Sequence, residues 1–136
     1  DFKVKSGKST LNNLANVIRV FNNVNISFLN NDEYYINTNS LDWNLKTSLI
    51  YINNPLTINL KNSNIIAKKG IYNIDSSLLK IYNTELNRNI YNSEGEEEYN
   101  VEIKSDFTKW LKNKNTLIFT SNGNQVETTI NFLLTK

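Results

Sequence analysis

The side chains that carry out most enzyme chemistry are missing from this chain, which has no histidine and no cysteine. That removes the usual general base, the thiolate nucleophile and the common transition-metal ligands. Acidic groups cluster at Asp32-Glu33 and in the stretch Glu94 to Glu98. Neither cluster has the spacing of a carboxylate pair set for acid/base work, and the Glu-rich stretch lacks the alternating ligands of a calcium loop. Both read as solvated loops, with Ser93 to Glu98 as one charged insertion. The residues predict no enzyme, no metal and no cofactor.

With chemistry set aside, the informative feature is a pattern that runs through the chain four times. The small residues Ser6, Thr38, Ala67 and Ser105 are its anchors, spaced 32, 29 and 38 residues apart. Two positions before each anchor stand Val4, Ile36, Ile65 and Ile103, and five after it stand Leu11, Trp43, Tyr72 and Trp110. Farther on come the pairs Ile18 and Val20, Ile50 and Ile52, Leu79 and Ile81, and Leu117 and Phe119. A repeat of roughly 30 residues carrying period-2 apolar pairs predicts a stacked β array in which each unit buries its apolar face against its neighbours.

The rest of the chain agrees with that reading. Val24, Ile26 and Phe28, and then Leu56, Ile58 and Leu60, alternate with polar residues at the strand period. Segments 12–16, 44–48, 73–77 and 111–115 have turn compositions at matching places, where hairpin connections should recur. The 27 asparagines suit many tight turns, although AT-rich codons would supply them equally well. Residues Leu11 to Phe21 show a passable helical period, overruled because the equivalent stretch from Trp43 to Asn53 is rich in β-branched and aromatic residues. Pro55 opens the Leu56 to Leu60 run, a tolerated place at a strand start.

Length and charge bound the remainder. A chain of 136 residues makes one domain, 1–136, and a formal net charge of +2 gives a nucleic-acid partner no electrostatic support. No stretch approaches the roughly 20 apolar residues of a membrane-spanning helix. The chain starts at Asp1 and contains no methionine, so an upstream signal peptide, membrane anchor or disordered arm is expected to have been removed.

The stretches Tyr34 to Ile58 and Ile65 to Asn83 resemble the repeat of the periplasmic lipopolysaccharide-transport proteins LptC and LptA, the OstA-like family. Ala67, Gly70, Tyr72 and Asn73 fill its motif best, and Thr38, Leu41, Trp43 and Asn44 next best. Asn22-Asn23-Val24 and Asn54-Pro55-Leu56 stand where its closing strands begin. The fourth copy departs from the pattern: it has no glycine and runs into Ser121 to Gln125 in place of a closing strand. The third copy loses the closing alternation at Thr84-Glu85-Leu86.

The resemblance implies an all-β, antiparallel sheet folded over on itself, a β-jellyroll or β-taco around an apolar groove. It implies a non-enzymatic role in lipopolysaccharide export, with acyl chains held against Ile18, Val20, Ile36, Trp43, Ile50, Ile52, Tyr72, Leu79, Ile81, Trp110, Leu117 and Phe119. The same residue types would serve equally as plain core. Lys68 and Lys69 could meet lipid phosphates, although surface charge is their ordinary role. The implied partners are lipopolysaccharide, other Lpt proteins joined through edge strands and, if the chain is an LptC, the inner-membrane ABC transporter. The implied location is the periplasm, with a missing N-terminal helix as tether in the LptC case and a cleaved signal peptide in the LptA case. Either Phe2 to Ser6 or Thr128 to Leu134 is expected to pair with the neighbour. A structural or adhesive β-repeat protein and a carbohydrate-binding β module are the alternatives.

Overall fold

Alternating apolar residues are the main structural instruction in this chain, and in the computed structural model they produce strands throughout. The structure describes residues 2–28, 31–111 and 116–132. Twelve strands follow in order: β1 (Phe2–Lys5), β2 (Lys8–Asn12), β3 (Val17–Phe28), β4 (Asn31–Asn44), β5 (Leu49–Ile52), β6 (Leu56–Leu60), β7 (Ser63–Ala67), β8 (Lys69–Asn73), β9 (Leu78–Tyr91), β10 (Glu97–Leu111), β11 (Thr116–Thr120) and β12 (Glu127–Phe132). Every pairing is antiparallel. No helix among the described residues is long and apolar enough to cross a membrane.

The four long strands β3, β4, β9 and β10 each bend once and so belong to two walls of one sheet. The first wall runs β2, the start of β3, the end of β4, β5, β8, the start of β9, the end of β10, and β11. The second runs β1, the end of β3, the start of β4, β6, β7, the end of β9, the start of β10, and β12. Between the walls lies a crease. There β3 shifts register between Phe21 and Val24, with Asn22 and Asn23 at φ 68° and 56°, and β9 turns at Asn83 with φ 53°. Asparagine tolerates this left-handed backbone far better than a β-branched residue does. The short strands simply break at the crease, at Ser6-Gly7, Asn53 to Pro55, Lys68 and 121–126.

Opposite the crease, the strands of the first wall are joined by hairpins of one design. Asn12 Oδ1 accepts the backbone N–H groups of Leu14 and Ala15, each at 3.0 Å, and Asn44 Oδ1 does the same for Lys46 and Thr47 at 3.0 and 3.1 Å. Asn73 Oδ1 accepts from Ser76 at 3.1 Å, and Asn16, Ser48 and Ser77 close the turns with φ near 54–59°. The fourth connection, 112–115, lies outside the described residues. The Glu-rich segment is less of a loop than its composition suggested. Asn92 Oδ1 gathers the N–H groups of Glu94 and Glu96 into a tight turn, and β10 already begins at Glu97.

The core lies between the walls. Ile50, Ile52, Ile58, Ile65, Leu79 and Ile81 are 0% exposed, so no water-sized void touches them. The anchor residues Thr38, Ala67 and Ser105 are buried beside the crease, where the walls converge and only small side chains fit; Ser6, at the N-terminal end, is exposed. Thr84 takes the inward place at which alternation failed in the sequence. Its hydroxyl bonds Ser105 Oγ at 2.7 Å and Thr108 Oγ1 at 2.6 Å, and the last two bond each other at 3.0 Å. Burying three hydroxyls is tolerable because each satisfies the others.

Candidate functional site

Residues spaced two apart on a strand share a face, so the inward columns of both walls line one interior. All twelve residues singled out from the sequence lie there. Val20, Ile36, Ile50, Ile52, Tyr72, Leu79, Ile81 and Trp110 are buried, while Ile18, Trp43, Leu117 and Phe119 are half-buried and packed against them. The division follows the order of strands: the half-buried four lie on β3, β4 and β11 toward the two ends of the sheet, and the central strands are sealed on the side opposite the crease, the mouth between the walls, as well as beside it.

Aromatic rings bridge the walls along that mouth. Phe2 of the second wall meets Trp43 and Tyr72 of the first, with ring centroids 5.6 and 6.0 Å apart. Phe28 meets Tyr72 at 6.1 Å and Trp110 at 5.9 Å, and Tyr34 meets Trp110 edge-on at 5.5 Å. Of the second-wall rings, Phe28 stood out by its alternation. Phe2 and Tyr34 did not, because their value depends on partners more than 35 residues away. Burial raises the Tyr72 hydroxyl above its ordinary value, opposed in part by a hydrogen bond with Ser77.

Inward apolar side chains continue out to the ends of the sheet. At the C-terminal end, inward-facing Val101 and Ile103 are half-buried, and Ile130 and Phe132 on β12 are 50% and 73% exposed. At the N-terminal end Leu11 is 56% exposed. Among the described residues β1 and β2 pair only with β3, and β11 and β12 only with β10, so each end presents unpaired strand edges.

The outer faces differ from the interior and from each other. The outer face of the first wall is basic: Lys8, Arg19, Lys69, Lys80 and Lys109 project from it, and Arg19 pairs with the carboxylate of Asp42 at 2.9 Å. That pair raises the Arg19 value through its hydrogen bond and the charge of Asp42. Three of the lysines lie over rings, Lys8 on Phe21, Lys69 on Tyr82 and Lys109 on Phe107. A depression of about 460 Å³ on this face is lined by outward side chains around Arg19 and Asp42 and is no part of the interior. The second wall is asparagine-rich, with Asn25 donating to Asn37 at 2.8 Å and Asn100 to Asn87 at 2.6 Å. Lys68 and Lys69 are exposed at and beside the crease, away from the mouth. Asp32 and Glu33 belong to a part of β4 whose side chains lie outside the described residues. No group of three or more acidic residues among those described could hold a metal ion.

A folded-over sheet with a through-running apolar interior has a counterpart of known structure. The chain superposes on LptH from Pseudomonas aeruginosa, the LptA homologous periplasmic component of the lipopolysaccharide transport device, with a TM-score of 0.63 over 100% of this chain and 96% of LptH. The fold is LptA-like. Sequence identity is 9%, so the likeness is one of architecture. No protein-family model matches the chain, and no curated protein matches it.

Proposed function

We propose that this protein is a non-enzymatic, periplasmic lipid-binding component of lipopolysaccharide export. Its interior would hold acyl chains between the two walls, and its end strands would join it to neighbouring Lpt-type proteins. The observation that carries this reading is the interior itself: lined mainly by apolar side chains, sealed at the crease, bridged by aromatic rings at the mouth, and uncovered at both sheet edges. The LptA-like fold supports it. Because no water-sized void touches the deepest residues, acyl chains enter from the mouth, where the ring contacts part and the bent strands flex about the crease. The transfer is driven by burial of apolar surface, at about 25 cal/mol per Å².

A photo-crosslinking side chain tests the reading. Placed at Ile52 or Leu117, which face inward, it should capture lipopolysaccharide. Placed at Lys46 or Asp75, in exposed hairpin turns, it should not. Equal labelling at all four positions, or none at any, removes the interior as the lipid site.

A further inference from the structure

Two lysines stand directly opposite each other on the outer face of the first wall, Lys80 of β9 and Lys109 of β10. Like charges in that position destabilise a sheet, so folding alone gives no reason for them. Across the wall their row runs from Arg19 and Asp42 through Tyr51 and Ile71 to the two lysines and Ile118. Asp42 is paired with Arg19, and Tyr51 and Ile71 separate it from the lysines. Lys8 and Lys69 add two cations nearer the crease, each over an aromatic ring. The face thus carries five cations against one carboxylate, whereas the remainder of the chain has ten against twelve. At its margins Lys46 and Asp75 in the hairpin turns offset each other, and Asp106 at the crease accepts the backbone N–H of Asn122 at 3.2 Å.

The row nearest the hairpins is aliphatic where this one is charged. Val17, Leu49, Leu78 and Leu111 point outward from it, half-buried, and none belongs to the core or packs against it. Beyond them the first two hairpins end in Leu14, 97% exposed, and Leu45, 41% exposed. Leu45 donates its backbone N–H to the carbonyl oxygen of Asn16 at 2.9 Å, which holds the two tips side by side. The cation row lies two residues above the aliphatic row, about 7 Å along the strand, and interfacial elements sink roughly 5–10 Å into a bilayer. Apolar tips, an aliphatic row and then cations follow the order of acyl chains, interface and phosphates in a membrane leaflet. We infer that this face and its hairpin edge dock on an anionic lipid bilayer, with Leu14 and Leu45 entering the acyl boundary while Lys8, Lys69, Lys80 and Lys109 meet lipid phosphates. An acidic protein would use the cations but leave the leucine tips without a role. The inference concerns the outer face and holds whether or not the interior carries lipid.

The test uses vesicles of phosphatidylcholine alone and of phosphatidylcholine with about one-third phosphatidylglycerol. The native protein should sediment with the anionic vesicles, be released by high salt, and bind the neutral ones weakly. Each lysine at such a surface strengthens binding roughly fivefold, so Lys80→Gln with Lys109→Gln should weaken it about 25-fold while preserving or raising the urea midpoint. Lys3→Gln with Lys5→Gln, exposed on the outer face of the second wall, removes the same charge and should change binding by less than about twofold. Leu14→Ser with Leu45→Ser should weaken it about tenfold. Because the chain has no cysteine, Leu14→Cys accepts a single environment-sensitive fluorophore, whose emission should shift to the blue on anionic vesicles. The same label at Ile66→Cys, exposed on the outer face of the second wall, should not respond. Failure to bind anionic vesicles overturns the inference, as does an equal response of the two labels. Equal losses in the two lysine variants overturn it too, by making net charge the cause. Undiminished binding of the leucine variant leaves a charge-only surface suited to an acidic protein, and overturns the bilayer as its occupant.

Discussion

Gly70 offers a sharp measure of how tightly the two walls are packed. It lies in β8 directly opposite Ile81 of β9, and a Cβ added there would stand 3.0 Å from Ile81 Cγ2, 3.2 Å from the carbonyl oxygen of Lys80 and 3.7 Å from Leu56 Cδ1. The first contact is with a side chain that is 0% exposed and the second with backbone held in a strand ladder, so neither neighbour can yield cheaply. Overpacking of this kind costs about 1–3 kcal/mol. Replacing glycine by alanine returns about 0.4–1 kcal/mol by restricting the unfolded chain. Gly70→Ala should therefore destabilise by about 1–2 kcal/mol, read as a lower urea midpoint at unchanged slope and a melting temperature lower by roughly 3–8 °C. Gly95→Ala is the control. At Gly95 φ is +81° and an added Cβ meets nothing within 4 Å, so its loss of stability is backbone strain and should be relieved by Gly95→Asn. Asparagine at position 70 should be worse than alanine. If Gly70→Ala is as stable as the native protein, β8 and β9 do not pack over Leu56 as described.

Three further outcomes are expected. A double-mutant cycle of Thr84→Val and Thr108→Val should give a coupling of about 1 kcal/mol, since each valine keeps the shape but breaks a shared hydroxyl bond; additive losses would mean that the triad is not a network. Tyr72 should ionise later in the folded protein than in the unfolded chain in an absorbance titration. Its folded form keeps the proton to higher pH than the unfolded chain does, so this contribution to stability is complete below about pH 10 and is lost as pH rises beyond it, and Tyr72→Phe should abolish the lag. Deleting residues 126–136 removes β12, whose described residues are all exposed, and should abolish end-to-end association in cross-linking while the rest still folds; a truncated protein that unfolds would place β12 in the core instead.

What could be read from the sequence is what is local. Val24, Ile26 and Phe28 declare an inward face by alternation alone, and Asn12, Asn44 and Asn73 declare hairpins because their side chains bond backbone only two or three residues on. The crease was harder to see. Thr84 looked like a lapse in the third copy, because the hydroxyls that satisfy it come from Ser105 and Thr108, 21 and 24 residues away. Arg88 was equally silent: inwardness is set by its pairing with Ser63 and Val101, and a charged residue in an alternating strand ordinarily marks the solvent side.

Because the walls share long strands, the mouth must follow the sheet, and the sheet is twisted. Each wall has eight strand positions from the N-terminal edge to the C-terminal edge. At about 4.8 Å and roughly 20–25° per step, the seven steps carry the mouth forward by about 34 Å and turn it by about 150°. The slot is therefore one arm of a helical thread. Copies added edge to edge would present their mouths on nearly opposite sides in turn, so a lipid moving along such a stack would rotate as it advances, and its exposed head would trace a spiral around the assembly.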